Sequence, residues 1–162
     1  MICYINMYLT IPSNNFEINN VIISDKSKNN IIENSFFYRM YYSNKLFSTN
    51  GIYIRFNLYD LDIEEYYSKI KCNFSRYEEK NKTVIRQLTN IEHEILKNYI
   101  QLTQHPVYTI REQLMNYYIK LFHKENYKLI GKIPKLNIIL KISGLWLTNK
   151  EHGLTFRFLI VN

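Results

Sequence analysis

The sequence predicts a mostly β, α+β domain, and two observations carry that prediction. Apolar and polar residues alternate over several short runs, as they do in strands with one buried face. Between the third and fourth of these runs the apolar period changes to helical spacing. Length sets the scale: 162 residues are enough for one domain with a real core.

Residues 1–33 read as an amino-terminal extension packed on the domain, with a short Val21-Ile22-Ile23 run and Asn-rich connections. Residues 34–162 form the domain itself. Its first strand covers 36–42, and the loop "SNKLFSTNG" then ends in the turn pair Asn50-Gly51. The second strand has the clearest alternation, with Ile52, Ile54, Phe56 and Leu58 on one face and Tyr53, Arg55, Asn57 and Tyr59 on the other. The acidic stretch "DLDIEE" reads as a loop. A third strand over 67–74 puts Ile70, Cys72 and Phe74 inward and Tyr67, Lys69, Lys71 and Asn73 outward.

Ile91, Ile95, Leu96 and Leu102 recur at helical spacing over 83–102, and His105-Pro106 breaks that helix. A second helix starts near Thr109, with Ile110, Leu114, Tyr117, Tyr118 and Leu121 as its apolar stripe. Gly131 and Pro134 close the helical region. Two strands follow, over 136–142 and 154–160, and Gly144 and Gly153 mark the turns at either end of their hairpin. Three strands, a helical segment and two strands is the order of the five-stranded OB barrel. The expected fold is therefore an OB-like barrel with a helical insertion between strands 3 and 4.

Composition narrows the function. There is no alanine, and four glycines and three prolines stand against fifteen tyrosines, which implies an AT-rich gene. Lysine and arginine outnumber aspartate and glutamate 21 to 14, a net charge of +7 that attracts polyanions. A 46% hydrophobic fraction excludes a disordered chain. Cys3 and Cys72 have no metal-ligand spacing and make no disulfide framework, which points to a reducing compartment. With neither a signal-peptide pattern nor a 20-residue apolar run, a cytoplasmic protein without a membrane partner is expected.

No catalytic constellation stands out. His93, His105, His123 and His152 are scattered, with His93 expected on a solvated helix face beside Glu92 and Glu94. Gly-rich phosphate loops and nucleophile elbows are missing. Asp60 and Asp62, beside Glu64 and Glu65, read as a charged loop rather than a metal site. Neither an enzyme nor a cofactor or metal is expected.

The outward strand positions are more informative. They hold Arg39, Tyr53, Arg55, Tyr59, Tyr67, Lys69, Lys71, Lys141 and Arg157, with cations interleaved among tyrosines. Lys45, Phe47 and Lys150 fall in the adjoining loops, and Trp146 is either a core plug or a stacking platform. Base stacking on an aromatic ring contributes ~1–3 kcal/mol while neighbouring cations follow the phosphates. Such a surface fits a single nucleic-acid strand bound with little sequence preference, with a homo-oligomer as a further partner. The alternative is a structural or assembly protein, a minor virion component or accessory subunit, using its tyrosines as a protein interface.

Two stretches carry a resemblance, "RMYYSNKLFSTNGIYIRF" and "LKISGLWLTNKEHGLTFRF". The second runs strand, Ser-Gly-aromatic turn, Gly-Leu-Thr, then aromatic-basic-aromatic. Together they resemble the small single-stranded DNA-binding proteins of yeast cytoplasmic linear plasmids and similar proteins of large cytoplasmic DNA viruses. The resemblance covers about a quarter of the chain and implies strand protection during replication of an AT-rich cytoplasmic element, with single-stranded DNA as the ligand and replication proteins as further partners. It assigns no residue roles.

Overall fold

The computed structural model describes residues 8–31, 33–66, 69–98, 103–122 and 129–161. Its described strands are β1 (Ile11–Pro12), β2 (Val21–Ile23), β3 (Ser27–Lys28), β4 (Phe36–Ser43), β5 (Ser48–Thr49), β6 (Ile52–Tyr66), β7 (Lys69–Phe74), β8 (His105–Val107), β9 (Tyr118–Phe122), β10 (Gly131–Leu147) and β11 (Glu151–Ile160). Helix α1 (Glu79–Asn98) follows β7, and α2 (Thr109–Met115) lies between β8 and β9. The α+β, mostly β class expected from the sequence is observed, with the strands joined in one large sheet.

Strand β6 is far longer than its first alternating run suggests. Ile52, Ile54, Phe56 and Leu58 are buried, and then the buried set changes phase to Leu61 and Ile63. Asp60 marks the change, its backbone in the left-handed region at φ 52°. Strand β10 changes phase at the same level, from buried Leu136 to half-buried Ile133 across Pro134, which has no N–H to give to the ladder. The acidic stretch is therefore strand and not loop. Its broken alternation hid it.

The pairings centre on five strands. Antiparallel ladders join β6 to β7, β7 to β9, β10 to β11 and β10 to β6, while β9 and β11 run parallel. Following register from Glu65 through Ile70, Leu121, Phe158 and Leu140 returns to β6 at Ile54, eleven residues away. Strand β10 keeps β11 on one side but changes partner on the other. Its first part pairs with β6 and its last part, Gly144–Leu147, with β4. The predicted first strand, 36–42, thus lies outside this ring, and the third position belongs to β9.

Strand β9 is a correction, because residues 118–122 were expected to extend a helix. Helix α2 stops at Met115, and Tyr117 turns the chain with φ 57°. Ile119 and Leu121 then bury as strand residues opposite Cys72 and Ile70. The short helical stripe and the period-2 alternation overlap in sequence, and sheet pairing wins.

Helix α1 buries Val84, Ile85, Leu88, Ile91, Ile95 and Leu96, the 3.6-residue stripe of an amphipathic helix. It begins at Glu79, earlier than expected, and the end expected at 99–102 falls outside the described residues. Asn81, fully buried, ties its first turn to β6 by accepting from Tyr59 N (2.9 Å) and donating to Tyr59 O (2.8 Å) and Ser75 O (2.9 Å). Glu92, expected on a solvated face, is also fully buried. Its two oxygens accept from the N–H groups of Ile110 (2.9 Å) and Arg111 (2.7 Å), capping α2 where the helix dipole favours a carboxylate.

The two hairpin glycines are not at turns, since β10 runs through Gly144 and the turn is Thr148–Lys150. They are sockets for rings. A Cβ on Gly153 would come 2.7 Å from Trp146 Cζ2, and one on Gly144 would collide with the Phe37 ring and the Tyr38 carbonyl oxygen. Trp146 is therefore a half-buried ring laid across the β11 backbone, not a core plug.

Candidate nucleic-acid interface

Burying alternate residues of the five paired strands sends the others outward, and register decides which of those meet. Lys71 of β7 is opposite Lys120 of β9. The parallel β9–β11 offset sets Arg157 beside Lys120, and Arg157 is opposite Lys141 of β10. Lys141 is opposite Tyr53 of β6. Four cations on four neighbouring strands thus stand in one row, about 14 Å across at normal strand spacing.

Three of these cations sit beside rings. Lys71 Nζ lies 5.2 Å from the Tyr118 ring centre, Arg157 Cζ 4.5 Å from Phe122, and Lys141 Nζ 5.3 Å from Tyr53. The Lys120 backbone N–H donates to Gln113 Oε1 at 2.8 Å, so α2 fixes the start of β9. Among the described residues only Lys71 has an ion pair here, with Glu64 at 3.6 Å. Such a surface pair contributes at most ~1 kcal/mol. Cations directly opposite one another repel, so the row is better satisfied by an anion laid along it.

The structure brings together four predicted residues, Tyr53, Lys71, Lys141 and Arg157. Lys69 is exposed one alternation from Lys71, and Arg55 one alternation from Tyr53, opposite buried Ile139. Tyr59 stands further along β6 between Lys80 (4.8 Å) and Lys135 (5.7 Å). The rest lie apart from the row. Arg39 is opposite Gly144, and Lys45 is exposed in the turn after β4. Phe47 packs on the core beside Tyr42 at 6.4 Å, which removes it as a free loop platform. Lys150 is in the β10–β11 turn, and Trp146 is within β10 opposite Gly153. Tyr67 and His123 lie outside the described residues.

Tyr118, Lys120 and Phe122 were missed, because 118–122 read as helix. Their signal was present in "YIKLF", which alternates strictly. Lys80 and Lys135 were missed as ordinary charged positions.

Elsewhere the titratable groups are structural. Burial, with Asp62 adding to it, pushes the Cys72 thiol up to about 12, so it is not a ready nucleophile. His152 is fully buried, and among the described residues neither its ring nitrogens nor Gln104 Oε1 have a hydrogen-bond partner. Burial lowers its pKa, with the Gln104 backbone opposing more weakly. Asp60 and Asp62 line an open depression of about 280 Å³ with Arg76 and Lys132, a mixed-charge surface. The described residues contain no group of three or more His, Cys, Asp or Glu able to hold a metal, and no helix long and apolar enough to cross a membrane. No family model, curated protein or solved structure matches the chain.

Proposed function

We propose that this chain binds single-stranded DNA with little sequence preference, on the outer surface of an OB-like barrel made by β6, β7, β9, β10 and β11. The return of the pairing to β6 with a register displacement supports a barrel, since tilted strands close only with such a stagger. The helices precede the third ring strand instead of following it, a departure from the expected position of the helical insertion. Protection of displaced strands in an AT-rich cytoplasmic element, the role the sequence resemblance implies, fits a non-catalytic binder.

The observation that carries the reading is the row Lys71, Lys120, Arg157 and Lys141, with rings at three of its positions. Cations to follow phosphates and ring faces for unpaired bases are the two parts of sequence-tolerant single-strand binding. A duplex has its bases already stacked and would use only the charges. Titration with fluorescent oligo-dT against duplex of equal length tests this. Tighter binding to the single strand, with affinity falling steeply as salt rises, is expected. Equal affinity for both, or none for either, rejects it and favours the assembly reading.

A further inference from the structure

The cationic row ends at Tyr53, and a second ring already lies on it. Tyr8 stacks on Tyr53 with ring centres 5.3 Å apart and planes within 22°. The two rings are held very differently. Tyr53 projects from β6, half-buried, with Gly51 beneath it and Lys141 beside it. A Cβ on Gly51 would lie 3.5 Å from Tyr53 Cε2 and 3.8 Å from Lys141 Cε, so ring and lysine pack over that glycine. Among the described residues Tyr8 is tied to the sheet through two paired residues, Ile11 and Pro12, which run parallel to Ile54 and Arg55. Among residues 8–12 only Ile11 is buried, while Tyr8 is 40% and Leu9 58% exposed. No hydrogen bond joins the Tyr8 side chain to another described residue.

We infer that Tyr8 and Tyr53 are the two jaws of a nucleobase clamp at the end of the row. Tyr53 is the fixed floor. Tyr8 lifts by about one ring thickness, ~3.5 Å, and closes on an unpaired base. The base forms two ring contacts and breaks one, the offset Tyr8–Tyr53 stack with centres 5.3 Å apart, so Tyr8 adds to binding by the excess of a full base–ring stack over that offset pair. Lys141 beside Tyr53 and Arg157 opposite Lys141 take the phosphate of the clamped nucleotide. The ligand is one nucleotide unit of a single strand, because a paired base cannot slip between two rings. This inference rests on the single-strand reading above and adds to it a defined base site.

The experiment uses the full chain, with Tyr8→Ala and Tyr8→Phe beside the wild type. Tyr8→Ala should weaken oligo-dT binding by roughly 5–20-fold, toward the low end of what one lost base stack produces. Its salt slope should not change, since no phosphate contact is removed. Tyr8→Phe should bind within about twofold of wild type. In the wild-type protein, an oligonucleotide carrying 5-iodo-deoxyuridine should photocrosslink to Tyr8 or Tyr53, and this readout needs no variant to fold. Unchanged affinity in Tyr8→Ala with crosslinks elsewhere overturns the clamp alone. Tighter binding also overturns it, since Tyr8 would then be a cover that the strand must displace. Failure of the wild type to bind oligo-dT overturns the clamp and the single-strand reading together.

Discussion

Lys141 and Arg157 stand directly opposite each other on β10 and β11, two cations where an opposite-charge pair would stabilise the ladder. The arrangement repeats two strands away, where Lys71 faces Lys120. Such pairs cost stability in the free protein, a cost that a polyanion laid along the row would offset.

Neutralising the pair should therefore separate folding from binding. Lys141→Gln with Arg157→Gln should leave stability unchanged or raise it by up to ~1 kcal/mol. The log–log dependence of oligo-dT affinity on salt should become shallower by about 0.7 for each lost phosphate contact. A slope equal to that of the wild type would remove these residues from the interface.

Phe122 tests the ring component. It is 46% exposed with the Arg157 guanidinium over it, so Phe122→Ala should weaken oligo-dT binding by ~1–3 kcal/mol. Its melting should shift little, within about 0.5 kcal/mol of stability. Phe56, packed edge-on against Phe158 at 6.1 Å, is the contrast. Phe56→Ala should cost ~3–5 kcal/mol of stability. If Phe122→Ala melts like Phe56→Ala, the ring is structural and the stacking role is lost.

Two buried groups give stability opposite pH slopes. Burial raises the Glu92 pKa above the ordinary 4.5, against the two backbone N–H bonds that lower it. A raised acid contributes its full stability below 4.5 and loses it as pH rises through the folded value. Burial holds His152 below 6.5, so its contribution is complete above 6.5 and is lost as pH falls through the folded value. His152→Phe should flatten the acid-side loss of melting temperature below about pH 6.5. Glu92→Gln should remove the opposite slope but cost ~1–3 kcal/mol, because the amide oxygen cannot cap both N–H groups as the carboxylate does. Melting curves from about pH 4 to pH 8 would expose an error if His152→Phe keeps the wild-type acid limb.

The single tryptophan reports on its own socket. Gly153→Ala would set a methyl 2.7 Å from the indole, and the ring has to lift. A cost of ~1–3 kcal/mol and a red-shifted, more quenchable emission are expected. An unchanged spectrum would mean that the strand moves and not the ring.

What could be read in the sequence depended on whether one period ruled a segment. The alternation in 52–58 and 69–74 gave both faces correctly, because single pleated runs bury every second residue. Phase change defeated the same reasoning at Asp60, where one left-handed residue moved Leu61 and Ile63 to the buried side. Ambiguity defeated it at Tyr118–Phe122, where Leu114, Tyr118 and Leu121 also satisfy a helical stripe. Register was invisible altogether. Nothing local says that Lys71 will stand in line with Lys141, since that depends on pairing across strands far apart in sequence. The cations were legible one at a time, and the row was not.

The partner exchange of β10 also bears on how the chain folds. Ile54 pairs with Leu140, 86 positions later in the chain, whereas β6–β7 and β10–β11 are neighbouring hairpins. The two hairpins can form early, but joining them must overcome the loop entropy of everything between. Such non-local closure favours refolding in milliseconds to seconds over microseconds. Until residues 131–147 arrive, the Ile52–Ile63 stretch of β6 leaves that hydrogen-bonding edge unpaired, a template for other chains. Aggregation during refolding should therefore rise with protein concentration, and a polyanion that gathers the cationic strands should lessen it.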